Sequence, residues 1–184
     1  MVLMESLSLP MGSPIIDFSL KGIDGRVYSL NDFADAQSIV VVFMCNHCPY
    51  VQAVWSRLVA LQEKYKNDGV QFVGINANIN PKYEEDSFEN MKKYFEMYKM
   101  NFPYLADEGQ NVAREYQAQC TPDIYVFDAG RKLAYHGRLD DSWKDESKVT
   151  KKELDQAIGL ILAGKKIEEK QNPSMGCSIK WVES

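Results

Sequence analysis

This sequence has little of several features that mark large classes of protein. Its four cysteines among 184 residues are too few for a secreted disulfide scaffold. Lysine and arginine number 21 against 26 aspartates and glutamates, and the net charge of -5 argues against the basic face of a nucleic-acid binder. No apolar run approaches the length of a membrane span, and no basic cluster fits an anionic membrane surface. We therefore expect neither nucleic acid nor membrane as a partner.

Targeting signals are equally sparse. The opening stretch MVLMESLSLPMG has no basic residues ahead of its short apolar run, so it makes a poor signal peptide and we expect a cytoplasmic protein. In a reducing compartment, a handful of cysteines indicates reactive thiols or a bound metal. The length and a hydrophobic fraction of 45% suit one ordinary domain, as a monomer or homodimer, and we expect no cofactor.

Apolar patterning in the first half predicts a hairpin followed by a strand, a helix and a strand. The hairpin turns at Asp24-Gly25, within residues 12–36. The valine-rich run 38–44 predicts a buried strand, and an amphipathic helix follows from Pro49. The next apolar run, which begins after Gly69, predicts a second buried strand. Two strands joined by a helix are expected to pair in parallel.

The second half predicts helices and a closing hairpin. An amphipathic helix starts near Asp86, and a short helix covers 110–116. The segments DIYVFD and KLAYHGR predict an antiparallel hairpin, which makes the sheet mixed. A capping box at Thr150 predicts the start of the last helix, which Gly164 ends. The tail, residues 165–184, shows no periodicity and is expected to be irregular.

Two cysteines stand in the stretch FMCNHCPYV, between the first buried strand and its helix. Thr121-Pro122 stands directly before DIYVFD, where thioredoxin-like proteins carry a cis-proline. This combination resembles the thioredoxin fold over nearly the whole chain. The phrase DFSLKGIDGRVYSLNDF is similar to the branch that includes peroxiredoxins and ResA/TlpA-type thiol reductases, the alkyl hydroperoxide reductase/thiol-specific antioxidant (AhpC/TSA) branch. The segments CNHCPYV, CTPD and PSMGCSIKW resemble an uncharacterised bacterial subgroup of it.

The resemblance implies an α/β fold with thioredoxin-like three-layer α/β/α architecture around a central mixed sheet. We expect one domain over residues 1–184, with an N-terminal hairpin extension at 12–36 and an irregular C-terminal tail at 165–184. It also implies a thiol-disulfide oxidoreductase that acts in cell redox homeostasis, with protein or small-molecule disulfides and thiols as substrates. The sequence names neither the substrate nor the electron donor.

The chemistry of such a couple needs one exposed, low-pKa thiolate and one partner that resolves the mixed disulfide. We assign Cys45 as the nucleophile at the helix N-terminus, and Cys48 as the resolving thiol one turn further on the same face. Pro122 is expected to keep a backbone edge free to pair with a substrate strand.

Residues around the couple tune it. Asn46 and His47 lie between the cysteines, Thr121 and Pro122 opposite them, and a charged His47 would stabilise the thiolate and make the couple more oxidising. Ile39 occupies the position of the buried aspartate of thioredoxin, and no carboxylate in the strand 38–44 replaces it. Proton handling therefore falls to His47, to water or to a residue from another segment.

Two more cysteines have open roles. Cys120 is expected near the pair, either as a redox or substrate-contacting thiol or as a small buried side chain. Cys177 is either a simple tail thiol or part of a tail that folds over the site and exchanges with Cys48 or Cys120.

Two other functions compete with the oxidoreductase. In a thiol peroxidase Cys48 would attack peroxide, but Cys45 then replaces the activating hydroxyl, and spacing selects none of Arg114, Arg131 or Arg138 as the activating charge. In a soft-metal module the ligands would be Cys45, His47, Cys48 and Cys120. A second close ligand pair for zinc is missing and His136 is unlinked by spacing, so we expect no metal.

Overall fold

The computed structural model describes residues 3–7 and 9–182. The strands of this part of the chain are β1 Leu3–Glu5, β2 Ser19–Gly22, β3 Val27–Ser29, β4 Ser38–Phe43, β5 Val70–Asn76, β6 Tyr104–Ala106, β7 Cys120–Thr121, β8 Asp123–Phe127, β9 Leu133–Gly137 and β10 Met175–Ser178. The helices are α1 Pro49–Tyr65, α2 Phe88–Met97, α3 Asn111–Glu115 and α4 Glu153–Leu162. None of these helices is long and apolar enough to cross a bilayer.

The central sheet has seven strands in the order β3-β2-β6-β5-β4-β8-β9. The parallel pairing of β4 with β5 is confirmed, as are the antiparallel pairs β2/β3 and β8/β9. β4 lies in the middle, and all six of its residues are buried, which explains its unbroken apolar run. The central mixed sheet predicted from the sequence is therefore confirmed.

Apolar side chains fill both faces of this sheet. Successive residues of a strand point to opposite faces, so Val40 and Val42 join one core cluster while Ile39, Val41 and Phe43 join the other. The first cluster includes side chains of α1, α2 and α4, and the second includes side chains of α3 and of the N-terminal segment. The result is the expected three-layer α/β/α architecture.

Some element boundaries differ from the sequence-based expectation. β6 was not predicted, because three buried residues are too short to show a period. The helix expected near Asp86 is present as α2, but it begins two residues later, at Phe88, with Ser87 as its N-cap, whose hydroxyl accepts the N–H of Asn90. α4 begins at Glu153, and Thr150 makes no capping box for it.

The C-terminal tail is not irregular as expected, because β10 forms a strand within it. β10 lies between β1 and β7 in a second, three-stranded antiparallel sheet. In this register Cys177 is opposite Thr121, and Ser178 is opposite Cys120. A four-residue strand containing glycine and serine carries no recognisable pattern, so only its pairing partners reveal it.

Gly176 lets this strand approach closely. A Cβ atom at residue 176 would lie 1.9 Å from the carbonyl oxygen of Thr121 and 3.3 Å from the Pro122 ring. No side chain tolerates a 1.9 Å contact with backbone, so only glycine fits here.

We therefore expect Gly176→Val to detach β10 while the central sheet keeps its protection. Amide hydrogen exchange in residues 175–178 should rise at least about tenfold, because a strand that has lost its pairing opens independently of the core. Met175→Ala is the matched control, since that side chain is 39% exposed on the same strand. Equal exchange in the two variants would contradict the role of Gly176.

Candidate active site

The two cysteines of the Cys-x-x-Cys stretch lie in the turn between β4 and α1. Cys48 is the N-cap of α1 and Pro49 its first residue. Cys45 therefore precedes the helix, and the expectation that both cysteines share one helical face is wrong. It is Cys48, not Cys45, that lies where the helix N-terminus favours a negative sulfur.

Burial also differs from the expectation for a reactive thiol. Cys45, Cys48, Cys120 and Cys177 are each 0% exposed. The expected exposed thiolate at Cys45 is thus not present in this structure. The roles assigned to Cys45 and Cys48, attack and resolution, stay predictions.

The peptide bond between Thr121 and Pro122 is cis, as predicted, and it faces the cysteines. The Cys45 sulfur lies 3.3 Å from the Thr121 hydroxyl oxygen, and the Cys48 thiol is 3.1 Å from the Thr121 carbonyl oxygen. Both sulfurs of the pair therefore meet one residue. The expectation of a free backbone edge here is wrong, because β10 pairs with it.

The tail folds over the site. Cys177, on β10, places its sulfur 2.8 Å from the sulfur of Cys48. Of the two tail arrangements considered from the sequence, the structure shows the one in which the tail covers the site, and it selects Cys48 as the neighbour. Disulfide exchange between them stays a prediction.

Cys48 has a lowered pKa in this thiol cluster. The Cys177 thiol is the largest cause, the Cys45 thiol comes next, and the N–H of Val51 in the first turn of α1 adds to both. The pKa of Cys45 is raised well above its ordinary value, first by burial and then by its hydrogen bond to Cys48. The pKa of Cys177 is raised by its hydrogen bond to Cys48. Within this cluster, Cys48 is therefore the thiol that loses its proton most readily.

Asp86 is a functional candidate that the sequence analysis missed. Its carboxylate is 0% exposed and accepts the N–H groups of Asn46, at 2.6 Å, and His47, at 3.2 Å. Its other oxygen contacts Nδ1 of His47 in a short hydrogen bond. From the sequence Asp86 was expected only as a residue near the start of a helix, whereas its carboxylate bonds to the turn between the cysteines. Asp86 is thus a buried carboxylate that another segment brings beside the cysteine pair, whereas the strand position Ile39 has none.

The two residues between the cysteines are held differently. Asn46 is fully buried, and its side-chain oxygen accepts the hydroxyl of Tyr104 at 3.0 Å. His47 is half-buried, with Nδ1 3.9 Å from the Cys45 sulfur. The hydrogen bond to Asp86 raises the pKa of His47, against a smaller opposing effect of burial.

Cys120 belongs to a different polar group. Its sulfur contacts Ser6 Oγ and the carbonyl oxygen of Ser174, at 3.8 and 3.9 Å. The Ser6 hydroxyl in turn donates to Asp123, which also bonds Tyr125 and Nε2 of His136. Burial raises the pKa of Cys120. The sequence spacing suggested no metal-ligand partner for His136, and in the structure this buried side chain hydrogen-bonds to Asp123.

Three side chains at this site could each offer one ligand atom to a metal ion. The candidate ligand atoms of Cys45, His47 and Asp86 lie within 4.8 Å of one another, and the described residues contain no other such group. The set differs from the one considered from the sequence, because Asp86 takes part and Cys120 does not. Both oxygens of Asp86 are already engaged by His47 and the turn backbone, so the geometry fits a hydrogen-bonded pair better than a metal ligand.

The three arginines considered for a peroxidase lie in other contacts. Arg131 donates to the backbone carbonyls of Phe33, Ala34 and Ala36. Arg138 pairs with Glu153, and the Arg114 guanidinium stacks on Trp181. These contacts leave the activating charge of a peroxidase unassigned.

A Cys-x-x-Cys turn at a helix start, faced by a cis-proline before a strand, defines a thioredoxin-fold thiol site. The model of the AhpC/TSA family matches residues 11–136, and the chain belongs to that family. The predicted thioredoxin-like fold and AhpC/TSA membership are confirmed.

Curated relatives carry redox names. A protein named thiol-disulfide oxidoreductase ResA, from Halalkalibacterium halodurans, is 23% identical over 126 residues, 68% of this chain and 67% of that protein. Peroxiredoxin Q of Sedum lineare is 30% identical over 105 residues, 57% of this chain and about half, 52%, of that protein. A solved structure of an uncharacterized conserved protein from Geobacillus kaustophilus is similar over 100% of this chain and 98% of its own, at 45% identity and a TM-score of 0.95.

Asp86→Asn should lower the pKa of His47, because the charge that raises it is removed. A histidine with a raised folded pKa contributes stability that is complete below its unfolded value and is lost as the pH rises through the folded value. The loss of unfolding free energy in Asp86→Asn should thus be larger at about pH 5.5 than at about pH 9. NMR titration of the two histidines, assigned with His47→Gln, checks the pKa.

The matched control is Glu85→Gln, which makes the same charge change at an exposed neighbour. It should leave both the titration and the pH dependence of stability unchanged. A His47 pKa that is the same in Asp86→Asn and in the native protein would refute the pairing.

Proposed function

We propose that this protein is a thiol-disulfide oxidoreductase whose redox couple is Cys45 and Cys48. The observation that carries the proposal is that both sulfurs contact Thr121, directly before the cis-proline. A substrate strand bonded to this backbone would have its sulfur beside the couple. The names of the ResA relatives agree with this activity. We place it in the cytoplasm, in a monomer or homodimer.

The pKa values favour an order of bond changes. In a Cys45–Cys48 disulfide attacked at Cys45, the departing sulfur is Cys48, and a thiol of low pKa leaves faster. A substrate thiolate then bonds to Cys45 while Cys48 leaves as a thiolate. In the reverse direction, Cys48 attacks the mixed disulfide at Cys45 and releases the substrate thiol. This is the order predicted from the sequence, with Cys48 resolving.

Proton transfer in this scheme falls to His47. Its Nδ1 lies 3.9 Å from the Cys45 sulfur. Asp86 orients the imidazole and raises its pKa, so His47 is protonated over a wider pH range. A protonated His47 can return a proton to the Cys45 thiolate when the mixed disulfide breaks.

Substrates require movement of the tail. The couple has no exposed surface while β10 covers it. Beside β10 lies a groove lined by side chains that include Tyr50, Pro122, Trp143 and Met175. The rings of Tyr50 and Trp143 are 4.0 Å apart and offer an apolar wall. Displacement of β10 joins this groove to the sulfurs, and the site can then accept a disulfide on a protein or a small molecule.

A thiol peroxidase is the second candidate. The likeness to peroxiredoxin Q and the lowered pKa of Cys48 favour it, because the peroxidatic cysteine would be Cys48. Cys45 occupies the place of the activating hydroxyl, and Arg114, Arg131 and Arg138 are engaged elsewhere. The oxidoreductase therefore ranks first.

Single-cysteine variants separate the two functions. Insulin reduction should fall to background in both Cys45→Ser and Cys48→Ser, because each removes one sulfur of the couple. Cys120→Ser is the control, because the Cys120 sulfur contacts Ser6 and Ser174. This variant should retain the native rate. Peroxide consumption that survives in Cys45→Ser and disappears in Cys48→Ser would instead establish the peroxidase.

The reduction potential tests the charge on Cys48. Stabilisation of the reduced form makes a couple more oxidising, so its potential should be less negative than the value of about -270 mV for thioredoxin. The Cys177 thiol is the largest cause of the lowered pKa, so Cys177→Ala, which removes the donor, should move the potential of the Cys45–Cys48 couple to a more negative value. Equilibration with dithiothreitol buffers measures both proteins. An unchanged potential in Cys177→Ala would count against the stabilisation.

A further inference from the structure

The position of Cys177 is that of a thiol on a bound strand. β10 pairs in antiparallel register with Cys120 and Thr121, on the edge that was expected to take a substrate strand. Its other side pairs with Leu3–Glu5, so the strand is held from both sides. Cys177 is opposite Thr121, and its sulfur lies 2.8 Å from that of Cys48. A bonded pair of sulfurs is about 2.05 Å apart, so a small movement suffices for a bond.

We propose that Cys177 is a third redox-active cysteine, which exchanges with the Cys45–Cys48 disulfide by attack on Cys48. The proposal rests on the proposed function, because that disulfide is its starting point. It assigns to the tail strand a chemical part in the redox cycle besides its covering of the site.

The exchange is balanced within the protein. Cys177 loses its proton and its thiolate attacks the Cys48 sulfur, so that a Cys48–Cys177 bond forms and the Cys45–Cys48 bond breaks. Cys45 leaves as a thiolate and takes up the proton that Cys177 released. One disulfide and one thiol are present before and after, so the step needs no outside oxidant or reductant.

Three features favour this exchange over other pairings. The Cys48 sulfur lies 2.8 Å from that of Cys177 and is also the partner of Cys45 in the proposed couple, so Cys48 is the sulfur that the two others share. The tail is part of the chain, and a tethered thiol acts at an effective concentration of about millimolar or more. Gly176 allows the close approach that brings Cys177 to this sulfur. The Cys120 thiol, by contrast, contacts Ser6 and Ser174, and no contact of its sulfur with that of Cys48 is seen among the described residues.

The products differ in what they expose to substrates. A Cys48–Cys177 disulfide ties β10 covalently to the edge beside Pro122, so a substrate strand is excluded from that edge. Cys45 is then a thiol without its former disulfide partner. Reverse attack by Cys45 on Cys48 restores the first disulfide and frees the tail to move.

Peptide mapping of the full-length protein tests the exchange. Trypsin releases residues 27–57, which hold Cys45 and Cys48, residues 115–131, which hold Cys120, and residues 171–180, which hold Cys177. The reduced protein is treated with one equivalent of glutathione disulfide, alkylated in acid and digested without reductant. We expect both an internal disulfide in 27–57 and a cross-link between 27–57 and 171–180.

Variants assign the cross-link. It should persist in Cys45→Ser and in the control Cys120→Ser, and fall at least about tenfold in Cys48→Ser and in Gly176→Val, which keeps the thiol but detaches the strand. An internal disulfide in the native protein, with no cross-link in either the native protein or Cys45→Ser, would overturn the role of Cys177 and leave the Cys45–Cys48 couple intact. A cross-link that needs Cys45 rather than Cys48, or that joins 171–180 to 115–131, would overturn it too.

Cys177→Ser separates this proposal from the proposed function. If it forms no internal disulfide in 27–57 and reduces no insulin, the Cys45–Cys48 couple itself is refuted. If it forms that disulfide and keeps insulin reduction, the couple stands, and the cross-link data alone decide the role of Cys177.

Discussion

The contact between the Cys48 and Cys177 sulfurs, 2.8 Å apart beneath β10, is the interaction on which the rest of the site depends. Both sulfurs are buried, and a buried polar group is costly unless it has partners. The partners of Cys48 are the Cys177 sulfur and the Thr121 carbonyl oxygen, and Cys48 itself is the N-cap of α1. The Cys177 contact exists only while β10 lies on the Thr121 edge, so the lowered pKa of Cys48 depends on the closed tail.

Asp86 illustrates how a fold can move a function to another segment. The strand β4 is buried on both faces, and Ile39 belongs to the cluster on one of them. A carboxylate in that strand would need its own buried partners. Asp86 instead comes from the short turn before α2, where two backbone N–H groups and His47 satisfy it. The buried carboxylate near the cysteines is therefore bonded to the turn between them and to His47.

Local patterns of the sequence determine much of the fold and the pair itself. The valine run gives β4, the spacing of apolar residues gives α1, and Thr121-Pro122 before an apolar strand gives the facing backbone. Contacts between distant segments have no such pattern. The closeness of Cys177 to Cys48 depends on a strand of four residues that pairs across the site. In the sequence, Asp86 cannot be distinguished from an acidic residue that merely stands at the start of a helix.

The closed tail also bears on which substrates the proposed enzyme can use. A substrate strand and β10 compete for the same backbone groups of Cys120 and Thr121. The apparent affinity for a substrate is the intrinsic affinity reduced by the fraction of protein whose edge is open. If the closed form prevails by about 100 to 1, the apparent affinity falls about 100-fold, so a strand with backbone pairing alone gains little over the tail. A substrate must then contribute contacts that β10 lacks, and the groove beside Tyr50 and Trp143 is where the structure offers them.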